Sequence, residues 1–365
     1  MKLLTIVGAR PQFIKAAALS RALKKFPSIQ EVIIHTGQHY DPQMSDIFFS
    51  EMEIPTPNYS LGIGGLSQGA MTGRMIEKIE EILLIEKPDW VLVFGDTNST
   101  LAGAIAAVKL HIPIAHVEAG LRSYNRRMPE EINRSLTDQC AELLFAPSDE
   151  SVNNLLREGI LSAKIYVAGD IMLDAVNYYL RKAEQASTII KDLELDKFAL
   201  ATVHRAENTD SAEELRGIMQ GLAKVSQSLP VIFPLHPRTE HAIQTHLPDF
   251  KFPETLRFIQ PVGYFDMLSL QEKSSVILTD SGGIQKEAYW LDKPCITLRN
   301  ETEWTELVEH GFNVLTGSSS HKIEQAFINS QTNPLPTRKN IYGDGHAAHF
   351  ILSKILSYSQ TERHK

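Results

Sequence analysis

The chain has 365 residues, of which 43% are hydrophobic and 22% are charged, and its formal net charge is −8. This composition is that of a globular protein long enough for two domains, and the negative charge argues against nucleic acid as a partner. No stretch approaches the roughly 20 apolar residues of a membrane span, and Cys140 and Cys295 lack metal-ligand or disulfide spacing, so we expect a cytoplasmic protein without a membrane segment or metal site.

The first half of the chain alternates short apolar runs with helical patterns. Strands are predicted at 3–7, 32–35, 90–94, 113–117 and 164–167, with helices at 13–25, 71–85 and 100–110. Nearly continuous apolar strands separated by helices are typical of a parallel sheet that is covered on both faces.

A second series of the same kind follows. Its strands are predicted at 198–203, 231–235, 256–259, 276–279 and 295–298. The two series predict an α/β fold with two Rossmann-like, doubly wound parallel-sheet domains around a cleft, covering 1–170 and 171–346. Because ligands bind beyond the carboxyl ends of the strands in such sheets, the residues that follow the strands are the functional candidates.

The first strand runs into Gly8-Ala9-Arg10-Pro11-Gln12-Phe13-Ile14-Lys15. This is not the GxGxxG pattern of dinucleotide-binding proteins, which argues against NAD. Arg10 at the turn and Lys15 in the early helix suit a bound phosphate. The alternative is a surface loop with two solvated cations.

Three carboxylates lie near the ends of two strands. Asp96 follows the strand at 90–94, Glu118 follows the strand at 113–117, and Glu130 comes soon afterwards in the first turn of a predicted helix. Asp96 has an alternative role as a helix N-cap, although Ser99 is an equally good cap, and Glu130 and Glu131 have an alternative role in complementing the helix dipole. Clustered carboxylates raise one another's pKa, so one acts as an acid while another acts as a base.

Basic residues follow two strands of the second series. His204 and Arg205 come after the strand at 198–203, and His236 and Arg238 come after the strand at 231–235. A lone histidine is more often structural than catalytic. Two histidine–arginine pairs at two strand ends favour an anion site.

The strand at 276–279 runs through Asp280 into Ser281-Gly282-Gly283 and then into a helix. Glycines let the backbone approach a ligand closely, and a helix N-terminus favours a diphosphate. Glu287, one turn inside the helix, is placed to accept hydrogen bonds from ribose hydroxyls. The alternative is a tight turn in which Ser281 caps the helix.

Taken together, these motifs resemble the non-hydrolysing UDP-N-acetylglucosamine 2-epimerase family, which has the glycosyltransferase-B fold. The resemblance covers essentially the whole chain and rests on Gly8-Ala9-Arg10-Pro11, Gly37-Gln38-His39, Gly95-Asp96-Thr97, His116-Val117-Glu118-Ala119-Gly120-Leu121-Arg122, Pro129-Glu130-Glu131-Ile132-Asn133-Arg134, Val203-His204-Arg205 and Asp280-Ser281-Gly282-Gly283-Ile284-Gln285. It implies catalytic roles for Asp96, Glu118, Glu130 and His204, and nucleotide contacts for Arg10, Ser281, Gly282, Gly283 and Glu287. It also implies a homodimer, no cofactor, and a C-terminal helix from about 347 that packs back on the first domain.

Within that family, the stretches 8–15, 122–129 and 202–209 are closer to the subgroup that acts on UDP-2,3-diacetamido-2,3-dideoxyglucuronic acid. This sugar has an additional carboxylate, which an arginine near Arg126 is placed to meet, and UDP-N-acetylglucosamine is the alternative substrate. Family members that are activated by their own substrate have a basic residue after Gln-His. Tyr40 and Asp41 follow here, so the sequence departs from the family pattern at the residues on which that regulation depends.

The expected reaction inverts C2 of a UDP-bound 2-acetamido sugar, a precursor of surface polysaccharide. Direct removal of the C2 hydrogen is unfavourable, because C2 is not next to a carbonyl group, and the chain lacks the GxGxxG pattern expected for oxidation by NAD. The remaining route eliminates UDP to give a 2-acetamidoglucal and then adds UDP back. Arg10, His204 and the turn at 281–283 would stabilise the diphosphate, while the three carboxylates move the C2 proton. Three alternatives are a glycosyltransferase of the same fold, a hydrolysing 2-epimerase, and a sugar-nucleotide sensor without catalysis.

Overall fold

The computed structural model describes residues 1–38, 53 and 56–362, except for the side chains of residues 10, 361 and 362. Tyr40 and Asp41, on which the prediction about substrate activation depends, therefore lie outside the described residues.

The chain divides into two compact units. The first comprises Met1–Asn177 and Asn340–Lys365, and the second comprises Tyr178–Lys339. The division after Asn177 falls within the helix Ile171–Ala186, whereas the sequence predicts a boundary near 170.

The first unit contains a parallel sheet. Its strands, as far as the chain is described, are β1 (Lys2–Val7), β2 (Gln30–His35), β3 (Tyr59–Ser60), β4 (Trp90–Phe94), β5 (Ile114–Val117), β6 (Leu143–Ala146) and β7 (Ile165–Val167). They lie in the order β3-β2-β1-β4-β5-β6-β7. The helices are α1 (Arg10–Leu23), α2 (Gln68–Glu86), α3 (Asn98–Lys109), α4 (Pro129–Cys140), α5 (Asp149–Arg157), α6 (Ile171–Ala186), which runs into the second unit, and the C-terminal helix α15 (Ala347–Glu362).

Every residue of β4, β5 and β6 is buried, because the sheet is covered on both faces. On one face, Met75 of α2 and Ala106 of α3 pack into the same core as Val93 of β4. The helix α15 belongs to this unit and contacts α1, and Trp90 Nε1 donates a hydrogen bond to Ser359 Oγ at 2.7 Å.

The second unit repeats this plan. Its described strands are β8 (Ala199–Thr202), β9 (Val231–Pro234), β10 (Leu256–Ile259), β11 (Val276–Thr279), β12 (Cys295–Thr297) and β13 (Asn313–Leu315), in the order β10-β9-β8-β11-β12-β13. The helices are α7 (Ile189–Asp192), α8 (Ala206–Thr209), α9 (Ala212–Ser228), α10 (Pro237–His246), α11 (Tyr264–Lys273), α12 (Gly282–Trp290), α13 (Thr305–Glu309) and α14 (Ser320–Thr332). Separate apolar cores cover the two faces of this sheet.

All described strand pairs are parallel in both sheets, so the predicted α/β class with two doubly wound parallel sheets is confirmed. The strands β3, β6 and β13 are additional to the predicted ones. The apolar run of β6 follows directly on α4, where periodicity does not separate strand from helix, and β3 and β13 are only 2 and 3 residues long.

Each sheet reverses its strand order once. In the first unit the reversal lies between β1 and β4, and in the second it lies between β8 and β11. Such switch points leave a crevice at the carboxyl ends of the two strands, where ligands bind in open α/β sheets. No helix in the described part of the chain is long and apolar enough to cross a membrane.

Candidate active site

The turn after β1 lies at the switch point of the first unit, and Gln12 fixes it. Gln12 Oε1 accepts a hydrogen bond from Gly8 N at 2.8 Å, and its Nε2 donates to the carbonyl oxygen of Phe94 at 2.9 Å. Glycine is required at position 8, because a Cβ there would lie 2.1 Å from Ser99 Oγ. The backbone of Arg10, which begins α1, is therefore held beside the end of β4.

Lys15 and Glu118 form a buried ion pair at the same edge. Lys15 lies in α1 with 8% of its side chain exposed, and its Nζ contacts Oε2 of Glu118, whose side chain is 9% exposed. Gly95 adjoins them, since a Cβ there would lie 3.5 Å from Lys15 Nζ. The structure thus brings together two residues that the sequence assigns to different motifs.

Glu118 follows β5 with a φ of 69°. A residue with a Cβ in this left-handed region costs on the order of 1–3 kcal/mol and persists only where its surroundings hold it, which happens most often at functional sites.

Asp96 lies at the end of the neighbouring strand β4. Its Oδ2 accepts a hydrogen bond from Arg134 Nη2 at 2.6 Å, and its carbonyl oxygen accepts one from Asn133 Nδ2 at 2.9 Å. Both donors lie on α4. The carboxylates Asp96 and Glu118 each therefore have a cationic partner, Arg134 and Lys15, at adjacent strand ends.

The N-cap of α3 is Thr97, whose side chain accepts a hydrogen bond from Thr100 N at 3.3 Å. Asp96 precedes this cap and Ser99 lies inside the helix. The alternative that Asp96 only caps the helix is therefore wrong, and so is the expectation that Ser99 takes that role.

Glu130 and Glu131 are neighbours in the first turn of α4 but differ in environment. Glu131 is 4% exposed and accepts hydrogen bonds from Ser123 N at 3.0 Å and Tyr124 N at 2.9 Å, so it holds the preceding loop. Glu130 is exposed. Its connection to this edge of the sheet is its helix α4, on which Asn133 donates a hydrogen bond to the Asp96 carbonyl oxygen.

Asp280 organises the switch point of the second unit. It is fully buried, and its carboxylate accepts hydrogen bonds from His204 N at 3.0 Å, from Arg205 N at 2.9 Å and from Asn208 Nδ2 at 3.0 Å. Because Asp280 follows β11 while the first two donors follow β8, one side chain joins the two strand ends. This role of Asp280 was not predicted from the sequence, although a carboxylate directly after a buried strand is the same signal that selects Glu118.

The His204 side chain is 41% exposed, and its Nδ1 lies 3.3 Å from Asp280 Oδ1. Its ring centroid is 5.7 Å from that of His236, so these two candidates lie side by side. Arg238 points elsewhere: its Nη2 is 2.7 Å from a carboxylate oxygen of Asp210, and its Nε donates to Thr209 Oγ1 at 2.8 Å.

The turn from Ser281 into α12 contacts Arg205. Ser281 occupies the N-cap position, but its side chain makes no capping hydrogen bond, so the alternative in which Ser281 caps the helix is wrong. A Cβ at Gly282 would lie 3.5 Å from Trp304 Nε1 and 3.8 Å from Arg205 Nη2, and Trp304 Nε1 donates to the Gly282 carbonyl oxygen at 2.9 Å.

Glu303 lies next to this turn and was not identified from the sequence. Burial acts to raise its pKa, but the guanidinium groups of Arg299 and Arg205 outweigh that effect and hold the pKa at about 2. Glu303 is therefore a carboxylate at neutral pH, and its charge orients Arg205 beside Gly282.

Glu287 is buried inside α12. Its Oε2 accepts a hydrogen bond from Gln271 Nε2 at 2.7 Å, and Tyr264 OH lies 3.4 Å from its Oε1. These two contacts fix the orientation of the carboxylate that the sequence assigns to ribose binding.

Known proteins are similar to this chain over nearly its whole length. The family model described as UDP-N-acetylglucosamine 2-epimerase matches residues 21–356. The chain is 48% identical to the UDP-2,3-diacetamido-2,3-dideoxy-D-glucuronate 2-epimerase of Pseudomonas aeruginosa, over 98% of this chain and 99% of that protein. It is 44% identical to the UDP-N-acetylglucosamine 2-epimerase of Methanocaldococcus jannaschii, over 99% of this chain and 100% of that protein.

Two solved structures are similar over nearly the whole chain. The crystal structure of the Methanocaldococcus jannaschii UDP-GlcNAc 2-epimerase in complex with UDP-GlcNAc and UDP superposes with a TM-score of 0.90 at 44% identity, covering 98% of this chain and 100% of that one. The Neisseria meningitidis UDP-GlcNAc 2-epimerase bound to UDP-GlcNAc gives a TM-score of 0.88 at 35% identity, with the same coverage of 98% and 100%.

Proposed function

Because the chain belongs to the UDP-N-acetylglucosamine 2-epimerase family, we propose that it inverts C2 of a UDP-bound 2-acetamido sugar by eliminating UDP and adding it back. The observation that carries the proposal is the ion pair between Glu118 and Lys15 at the switch point of the first sheet. There, a carboxylate is held in a left-handed backbone conformation beside the end of β4, which carries a second carboxylate, Asp96.

The reaction requires two proton transfers at one carbon. In the first half, a carboxylate takes the proton from C2 while the bond from C1 to the phosphate oxygen breaks. The electron pair of the C1–O bond leaves with UDP, and the electron pair of the C2–H bond forms the new double bond. The C1–C2 double bond that remains makes the intermediate a 2-acetamidoglucal. In the second half, an acid returns a proton to the opposite face of C2 and the phosphate oxygen attacks C1, so no oxidant or reductant is needed. Asp96, Glu118 and Glu130 are the groups that we propose for these transfers.

The departing diphosphate needs hydrogen-bond donors and positive charge. In the second unit, the N-terminus of α12 after Ser281 offers backbone N–H groups, and Arg205 lies beside Gly282. His204 is partly exposed and oriented by Asp280. We propose these groups as diphosphate contacts of the second unit, and we propose Arg10 and Lys15 as phosphate-binding residues of the first unit. We include His236 as a further diphosphate contact, because its ring lies next to that of His204. Arg238 is paired with Asp210 and would have to leave that partner before it could bind the diphosphate.

The sugar is the finer part of the proposal. The relatives named above act, by their names, on UDP-N-acetylglucosamine or on UDP-2,3-diacetamido-2,3-dideoxy-D-glucuronate. Both are UDP-bound 2-acetamido sugars, and the same C2 chemistry serves either. The additional carboxylate of the second sugar would select for a cation such as Arg126.

The test is proton NMR of each sugar nucleotide incubated with the protein in deuterated water. We expect deuterium at C2 and the appearance of the C2 epimer without any acceptor, for one of the two sugars in preference. A glycosyltransferase would leave the C2 hydrogen in place and would transfer the sugar only when an acceptor is added. A hydrolysing 2-epimerase would release free sugar and one UDP per turnover. Either of these results would refute the proposal.

The variant Glu118→Gln tests the carboxylate itself. We expect it to abolish epimerisation while UDP still binds, because the amide cannot accept the C2 proton but fills the same space. The matched control is Glu81→Gln in the exposed pair with Lys78 on α2, which should turn over normally. Near-normal turnover by Glu118→Gln would remove Glu118 from the mechanism.

We further propose a homodimer in the cytoplasm. Leu84 and Ile85 near the end of α2 are 57% and 70% exposed, and Val108 of the adjoining helix α3 is 37% exposed. These exposed apolar side chains on neighbouring helices, with the homodimer that the family resemblance implies, support a partner chain. Both cysteines are free thiols, as expected in a reducing compartment. Analytical ultracentrifugation measures the oligomeric state.

A further inference from the structure

A chain of buried polar contacts underlies the carboxylates of the first unit. His116 of β5 is fully buried, with its Nε2 2.8 Å from the Gly95 carbonyl oxygen and its Nδ1 2.7 Å from Asp138 Oδ1. Asp138, on α4, is also fully buried, and its Oδ2 accepts a hydrogen bond from Gly120 N at 3.3 Å. His116 belongs to one of the motifs that carry the family resemblance, but no role was predicted for it from the sequence.

Both ring nitrogens of His116 lie within hydrogen-bond distance of an oxygen, so the ring bridges the end of β4 and the helix α4. Asp138 also pairs with Arg122, whose Nη2 is 2.7 Å from Oδ2, and Arg122 in turn pairs with Glu158 at 2.6 Å. The buried Asp138 carboxylate therefore has a cationic partner in Arg122, as a buried charge requires.

This network joins the three segments that carry the proposed acid–base groups. Gly95 directly precedes Asp96, and Gly120 follows Glu118 by two residues. Asp138 lies two turns along the helix whose first turn bears Glu130. The backbone at Gly95, Glu118 and Gly120 has φ values of 61°, 69° and 84°, so the segments on both strands hold conformations that need support from their surroundings.

We propose that His116 and Asp138 are positioning residues for C2 epimerisation: their hydrogen-bonded pair sets the spacing of Asp96 and Glu118 without touching the substrate. The proposal rests on the proposed function, because it concerns the geometry of those carboxylates. It predicts that loss of the pair slows proton transfer at C2 far more than it weakens nucleotide binding, since neither residue is one of the proposed diphosphate contacts.

The test compares His116→Phe, Asp138→Asn and the double variant in the full-length protein, using whichever of the two sugar nucleotides the wild type epimerises. We expect each single variant to lower kcat by about 100-fold, as a displacement of about 1 Å of a catalytic group does, with KM changed by less than about threefold. The double variant should be no slower than the worse single one, because the two residues act as a unit. Backbone amides at 95–97 and 118–120 should exchange hydrogen faster in the variants than in the wild type.

The matched control is Glu31→Gln. Glu31 is likewise enclosed in the first sheet, accepting hydrogen bonds from Thr5 Oγ1 at 3.0 Å and Ser20 Oγ at 2.7 Å, but it lies in the amino-terminal half of β2, away from the site. It should leave kcat unchanged.

Folded variants of His116 and Asp138 with wild-type kcat would overturn the inference and leave the proposed function standing. The inference would also fail if Glu31→Gln lowered kcat as much as the His116 and Asp138 variants do at an equal loss of stability. It would fail likewise if hydrogen exchange of the backbone amides at 95–97 and 118–120 were unchanged in those variants. A wild type that epimerises neither sugar would overturn both.

Discussion

Asp280 offers a direct measure of how much one buried carboxylate contributes to the second unit. It is fully buried and accepts hydrogen bonds from the backbone N–H groups of His204 and Arg205, and from Asn208 Nδ2. In Asp280→Ala both backbone donors lose their acceptor, whereas Asn208 keeps a bond to the Leu298 carbonyl oxygen at 3.0 Å. Two buried donors without partners cost about 1–3 kcal/mol each, so we expect a loss of about 4 kcal/mol in the free energy of unfolding of this unit.

The variant Asp280→Asn separates the hydrogen bonds from the charge. Its amide oxygen can replace Oδ2, which is the atom that all three donors reach, and its amide group then faces His204 Nδ1. Only the additional strength of bonds to a charged acceptor is lost, so we expect about 1–2 kcal/mol. Both variants should weaken UDP binding, because they release His204 and Arg205 from their fixed positions.

The assay is urea unfolding followed by tryptophan fluorescence, since Trp290 and Trp304 both lie in the second unit. Isothermal titration with UDP gives the affinity. The control is Glu324→Ala in the surface pair with Lys224, which should change stability by less than about 0.5 kcal/mol. A loss below about 1 kcal/mol for Asp280→Ala, or equal losses for the two Asp280 variants, would refute the reasoning.

Two further predictions concern stability in the first unit. Gly120 has a φ of 84°, and a Cβ there would lie 2.3 Å from the Ser151 carbonyl oxygen, so Gly120→Ala should cost more than about 2 kcal/mol in thermal unfolding. Gly65→Ala, with a φ of 68° and no atom within 4 Å of its Cβ, should cost only the backbone term of about 1 kcal/mol; equal losses at the two positions would contradict the steric argument. Asp174 accepts hydrogen bonds from the first two N–H groups of α15, and burial raises its pKa from 3.8 to about 6. Asp170 and His346 are the nearby groups that also act on this pKa. A raised carboxyl pKa favours the folded state only while the group is protonated, so its contribution is complete below about pH 4 and is lost as the pH rises through about 6. The thermal midpoint of Asp174→Asn relative to the wild type should therefore rise between pH 4 and pH 7, by the equivalent of at most about 3 kcal/mol, and a constant difference would show that burial does not control this group.

The sequence alone determined the parts of this protein that depend on local patterns. Apolar runs such as those of β4 and β11 mark buried parallel strands, because both faces of such a sheet are covered. Since the carboxyl ends of parallel strands meet at one edge, the motifs after those strands also located the candidate site. The alternation of strands and helices predicted the α/β fold class, and the order of the motifs along the chain identified the family.

Only the tertiary structure decided which side chains meet. Lys15 and Glu118 are 103 residues apart in sequence, and nothing in the local pattern of either predicts that they pair. Glu130 and Glu131 are adjacent residues of the same type, but successive residues of a helix point about 100° apart. The orientation of α4 therefore buries Glu131 and exposes Glu130. The links from His116 to Asp138 and from Asp280 to His204 likewise depend on how neighbouring elements are packed. Long-range packing sets those distances, and a one-dimensional pattern does not contain them.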